Sequence, residues 1–210
     1  MTLRRLILLS FISFPGLADT LPLDKLHLPD GYKIDIYASD VKNARQMALS
    51  DNGILFVGSR EGGVISAVID KDHDGKADEV LIIAKDLTMP SGIAIKDGDL
   101  YVAQVSQIVK YSEIEKNFRA LPAPEVVIDG LPDKKHHGWK YIDFGPDDWL
   151  YLPIGAPCNI CQTNGGDKFD NPEFASILKY NLKSKERVWV AKGVRNSVGF
   201  DWHPQTKQMW

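Results

Sequence analysis

The sequence predicts an all-β fold, a β-propeller of four-stranded blades that is incomplete, with about three and a half blades present. A hairpin signature recurs along the chain. Residues 47–57, 93–102 and 141–152 each read as strand, tight turn, strand, and a fourth copy starts at Val198-Gly-Phe-Asp-Trp-His-Pro and stops at Met209-Trp210. Leu55, Leu100, Leu150 and Met209 hold corresponding places in these copies, roughly 50 residues apart, which is the spacing of propeller blades. No stretch keeps an apolar period of 3.6 residues.

Each copy continues past its hairpin. Residues 64–69 and 79–84 follow the first, 108–111 and 125–128 the second, 177–180 and 187–191 the third, so that three repeats carry four short strand-like runs. The turns inside the hairpins are Asp51-Asn52-Gly53, Asp97-Gly98 and Gly145-Pro146-Asp147-Asp148. Residues of these types fit tight turns because Gly and Asn reach positive φ and Pro presets its own. Residues 112–119 (SEIEKNFR) are the best place for a helical turn but read more naturally as a solvated loop. A propeller hides its sheet edges by closing a ring, which three and a half blades cannot do, so the expectation is a fragment of a longer enzyme.

The chain opens on a signal-peptide pattern over residues 1–18: a basic start (Arg4, Arg5), an apolar stretch over 6–14, and small residues before a cut after Ala18. Residues 19–210 are then a partial β-propeller domain, periplasmic or secreted, with no membrane span. Removing the signal takes the formal charge from −3 to about −5. An exported, mildly acidic chain with no basic run excludes nucleic acid as a partner and leaves a small molecule.

The chemistry gathers in the connections from a fourth strand to the next first strand. In order these carry Arg45, Ser91, the pair His136-His137, and Arg195-Asn196. In a propeller such loops share one face of the disc around the central channel. Polar groups converging there over an apolar floor make a small-molecule site. A neutral imidazole is available as a base near neutral pH, and an arginine offers a permanent planar charge for oxyanions and carboxylates.

Asp70, Asp72, Asp74 and Asp78 alternate around Gly75, a pattern that suits a hard cation taking oxygen ligands. Position twelve of an EF-hand would be Leu81, so this is no EF-hand. The segment is either a structural calcium loop, remote from the histidine loop, or an acidic hairpin turn. Cys158 and Cys161 are spaced C-x-x-C. Haem attachment would need histidine where Gln162 stands, and no further zinc ligands are in sight. A local disulfide fits an oxidising compartment, with a redox dithiol as the alternative.

Several phrases carry a resemblance: N-A-R-Q-M-A-L from Asn43, H-H-G-W-K from His136, F-G-P-D from Phe144, G-A-P-C-N-I-C from Gly155 and G-V-R-N-S-V-G-F-D-W-H-P from Gly193. The chain resembles the glucose/sorbosone dehydrogenase family, its L-sorbosone dehydrogenase branch above all. That resemblance implies a six-bladed propeller holding pyrroloquinoline quinone (PQQ) over the channel with the help of Ca2+. It also implies oxidation of a sugar or sugar aldehyde with hydride passing to the quinone, and an external electron acceptor. Counted back from the Gly-Pro-Asp turn, the family's base falls on His137, with His136 one residue away as second choice. Its cofactor contacts fall on Arg195 and Asn196. Two other classes are weighed against this one. A calcium-dependent lactonase would need carboxylates and an Asn around one ion at the channel, and a non-catalytic binding propeller would lack a base there.

Overall fold

In a computed structural model of the protein, residues 21–160 and 171–210 are described. The signal-peptide reading (residues 1–18) and Cys161 fall outside them. The chain divides into a unit ending at Ile36 and a main unit, Tyr37–Trp210. The described part of the first holds one 3-10 turn, Leu23–Lys25, with no buried residue.

The main unit is built from three antiparallel four-stranded sheets, each formed by four consecutive strands. The first comprises β1 (Ala44–Leu49), β2 (Leu55–Ser59), β3 (Ile65–Ile69) and β4 (Glu79–Ala84). The second comprises β5 (Gly92–Lys96), β6 (Asp99–Ala103), β7 (Ile108–Tyr111) and β8 (Glu125–Ile128). The third comprises β9 (Asp143–Phe144), β10 (Leu150–Ile154), β11 (Ser176–Tyr180) and β12 (Arg187–Lys192). These are propeller blades, and the all-β, incomplete propeller expected from the repeats is the observed fold. Of the fourth hairpin, the described residues show an antiparallel bridge between Trp202 and Met209.

Strand alternation explains how blades join. Successive side chains of a strand point to opposite faces. On β6, Leu100 and Val102 pack with Phe56, Ile65 and Ala67 of the first blade, while Tyr101 and Ala103 pack with Leu150, Leu152, Ile154 and Leu178 of the third. The middle blade is therefore apolar on both faces at β6, as the unbroken apolar run over residues 100–103 requires.

Two local expectations are corrected. Residues 112–119 are not simply a solvated loop, because Ile114–Asn117 form a helical turn, α1. Ile114 is fully buried among the residues between the first two blades, and its N–H donates to Gly98 O at 2.8 Å. One apolar residue with a core berth is enough to fold the turn inward. The apolar run before the third hairpin also yields only a two-residue strand, β9. Upstream of it, the backbone is bonded by side chains instead of by β10. Ser91 Oγ accepts from Lys140 N (3.1 Å) and donates to Lys140 O (3.0 Å). The Gln46 carboxamide accepts from Ile142 N (3.1 Å) and donates to Ile142 O (2.7 Å).

Candidate functional site

The third inter-blade connection carries the histidines, and the two differ in surroundings. His136 is exposed, whereas His137 is 8% exposed, with φ of 50°. The rings stand 4.1 Å apart. His137 Nδ1 lies 2.9 Å from Ala156 O. A carbonyl can only accept, so Nδ1 carries a proton, and in the neutral ring it is Nε2 that has the lone pair.

Gly155 brings three connections together. A Cβ at this position would run into the Cβ and O of His137 and come within 3.1 Å of Asn196 Oδ1. Only glycine allows β10 to end against both loops at once. Ala156 N donates to Arg195 O at 2.7 Å, so the same two-residue segment holds His137 by its carbonyl and the Arg195-Asn196 backbone by its N–H.

A hollow of about 400 Å³ opens beside these residues, lined by Ala44, Arg45, Gln46, Ser91, Trp139, Lys140, Tyr141 and Val198. Its walls come from the start of β1, from Ser91 just before β5, from residues 139–141 before β9 and from Val198 after β12, and His136, His137, Arg195 and Asn196 are not among its lining residues. Trp139 joins it to the histidines, its indole standing edge-on to the His137 ring at 5.9 Å. None of its described lining residues is acidic, and two are cationic, which suits an anionic ligand. Arg195 is exposed and its guanidinium lines a second hollow of about 360 Å³ with Cys158 and Asn159, donating to Asn159 Oδ1 at 3.3 Å. Thus Arg45 and Ser91 share one hollow, His137 and Asn196 meet at Gly155, and the Arg195 side chain turns to the neighbouring hollow.

Lys140 is the site's unexpected member. It is 3% exposed, with Nζ donating to Val105 O (2.5 Å) and Gly138 O (3.1 Å). Burial pulls its amine down to about 8, against the opposing pull of Glu173. Its carbonyl leaves room only for glycine at position 92, where a Cβ would clash with it. Sequence reading gives Trp139 and Lys140 no role at the site, although both stand inside the H-H-G-W-K phrase. Gln46 has no chemical signature beyond its place in N-A-R-Q.

The acidic segment lies between β3 and β4, a connection at the opposite end of the strands. Asp70, Asp72 and Asp78 bring one oxygen each within 4.8 Å of one another. Asp70 Oδ1 is buried and has no hydrogen-bond partner, so an oxygen is left for a cation. Asp74 is outside this group; like the other three aspartates it accepts from a backbone amide, that of Lys76 at 2.8 Å. Cys158 is disulfide-bonded.

The TrAA12-like family matches residues 26–210. An uncharacterized protein of Borreliella burgdorferi is 28% identical over 198 residues, covering 88% of this chain and 48% of that protein. Among solved structures, a Trichoderma reesei carbohydrate-active enzyme of family AA12 (iodide structure) superposes with a TM-score of 0.75 at 17% identity, covering 87% of this chain and 48% of that one. The PQQ-bound form of aldose sugar dehydrogenase from Streptomyces coelicolor superposes with a TM-score of 0.60 at 22% identity, covering 84% and 57%. The chain spans about half the length of the relatives it matches. Among the described residues, no helix is long and apolar enough to cross a membrane.

Proposed function

The chain belongs to the TrAA12-like family, and from that premise we propose that it is the site-bearing part of an exported, PQQ-dependent sugar oxidoreductase acting on an aldose or a sorbosone-like aldehyde. The observation that carries this reading is the meeting of His137 and Asn196 at Gly155, beside an acid-free hollow with Arg45 on its wall. The quinone, when bound, would supply the two-electron acceptor, to be reoxidised by an external acceptor.

The chain's own residues would do the rest. His137 Nε2, left as acceptor by the Nδ1 contact with Ala156 O, takes the proton of a sugar hydroxyl. Burial of the ring excludes competing water from its inner side, and the carbonyl of Ala156 stabilises the imidazolium that forms. Arg45 offers guanidinium donors to an anionic group in the hollow, and Asn196 a carboxamide beside the base. Arg195 serves the cofactor by turning from Asn159 toward the His137 side. The exposed His136 stands as the second candidate for the base. Asp70, Asp72 and Asp78 hold a structural Ca2+ apart from the reaction, and the disulfide of Cys158 closes on Cys161.

Reconstitution tests the reading. The chain incubated with PQQ and Ca2+ should shift the quinone's absorption stoichiometrically and reduce a redox dye with aldoses. His137→Ala should lower dye reduction by about 10²- to 10⁴-fold with quinone binding kept. A chain inert toward every aldose and ketoaldose removes the substrate class, and an unchanged rate in H137A removes the mechanism.

A further inference from the structure

The backbone of His137 has a φ of 50°, a left-handed conformation that a side chain with a Cβ adopts only at a cost in free energy. A residue stays there while its neighbours leave it no alternative. The turn behind it is closed by Gly138 N, which donates to Lys135 O at 3.0 Å, and a Cβ on Gly138 would run into the carbonyl of Lys134. Its ring is met by Ala156 O at Nδ1. The peptide that follows is held by Lys140, whose Nζ donates to Gly138 O at 3.1 Å.

Lys140 is itself fixed at both ends. Ser91 Oγ takes both its N–H and its carbonyl (3.1 and 3.0 Å), and a Cβ on Gly92 would leave that carbonyl no room. At the other end Nζ also donates to Val105 O (2.5 Å), in the turn between β6 and β7, so one ammonium group ties the carbonyl after His137 to the second blade. Glu173 is the acid whose charge acts on this amine, and its own carboxylate is paired with Arg187 at 3.1 Å. Burying a cation against two carbonyls costs more than filling the space with an apolar side chain. What the cation adds is a directed donor at Gly138 O, which no apolar residue supplies.

We propose that Lys140 is a positioning residue for His137: by holding the Gly138 carbonyl against the second blade, its ammonium group keeps the imidazole with Nδ1 on Ala156 O and Nε2 as the acceptor. Without that donor the Gly138 peptide can turn, the strained φ at His137 relaxes and the ring leaves the Ala156 carbonyl. The orientation of the ring is a property of the chain alone, whereas its bearing on catalysis rests on the proposed role of His137 as the base of a sugar oxidoreductase.

Nitrogen-15 NMR of the His137 ring in the whole chain, with neither quinone nor sugar and at a pH where the ring is neutral, tests the first half. The wild-type ring should show one tautomer, with the proton on Nδ1. In Lys140→Met both ring nitrogens should move toward the averaged positions of a ring that exchanges tautomers, and the Nδ1 proton should exchange with solvent about tenfold faster or more. Lys140→Gln, whose amide can donate to one of the two carbonyls, should fall between them and serves if K140M does not fold. Leu100→Ala, which weakens the packing of the blades outside this loop, should leave the ring signals where they are, so that positioning is separated from lost stability. In the PQQ-loaded chain K140M should lower kcat toward an aldose by about tenfold or more with KM little changed. Ring signals identical in wild type, K140M and K140Q overturn the proposal and leave the sugar-oxidoreductase reading standing, as does a wild-type ring that already averages its tautomers. A displaced ring with unchanged kcat overturns the positioning role in the reaction. A displaced ring in a loaded chain that oxidises no sugar keeps Lys140 as the residue that orients His137 and removes the sugar-oxidising reading.

Discussion

Lys140 places a titratable amine where water does not reach, and its bonds join two connections: Val105 O belongs to the β6–β7 turn and Gly138 O follows the candidate base directly. Burial holds its folded pKa at about 8, below the ordinary 10.5. Below pH 8 the native state carries a buried charge. Between pH 8 and 10.5 the unfolded chain keeps a proton that the native state has released, so stability rises with pH across that window. Relative to Lys140→Met, which does not titrate, the wild-type protein should gain about 2 kcal/mol between pH 7 and 9.5, read from paired denaturant titrations. A difference that stays constant with pH would mean that the native amine stays charged throughout the window. His137 shows the same dependence of chemistry on a single contact. One carbonyl, that of Ala156, decides which ring nitrogen can accept a proton.

At the scale of elements, the connections divide into those that bind and those that brace. The segment between β3 and β4 braces. With Asp70, Asp72 and Asp78 drawn together and Asp74 turned to the Lys76 amide, Ca2+ should raise the melting temperature by roughly 5 °C or more at saturation. Asp70→Asn should abolish the rise and Asp74→Asn should keep most of it. Equal losses in the two variants would return the segment to an ordinary acidic turn. Sequence reading reaches these elements unevenly, for physical reasons. The strands are legible because alternation and turn residues are local, so the bounds of β4, β7 and β8 agree with the runs read from residues alone. That Arg45 shares a hollow with Ser91, and that His137 meets Asn196, is legible because the repeat places their connections at one end of the sheets; that Arg195 lines a separate hollow is not. The shortness of β9 is not, since it depends on Gln46 and Ser91 reaching Lys140 and Ile142 from far along the chain. The membership of the calcium group is likewise set by which backbone amide each aspartate meets. Lys140 acquires its character from burial, which has no mark in its own neighbourhood of the sequence.

At the scale of the whole molecule, the blades hold together by two means of different kind. Face-to-face apolar packing on both sides of the middle blade supplies most of the cohesion, and replacing the fully buried Leu100 by Ala should cost about 2–5 kcal/mol. The second means is polar and narrow. Gln46, on β1, gives its carboxamide to Ile93 N (3.0 Å) in the second blade and to both backbone groups of Ile142 (3.1 and 2.7 Å) leading into the third. Gln46→Leu strips two N–H groups and one carbonyl of their partner and should cost about 3 kcal/mol or more, with a fall in melting temperature of roughly 6–12 °C. Because one side chain fastens amides in two separate sheets, those amides lose protection in the same event. In deuterated solvent the Ile93 and Ile142 protons should exchange in step with each other, ahead of the buried ladder of β6 and β7, so that the inner rim opens as one cooperative patch.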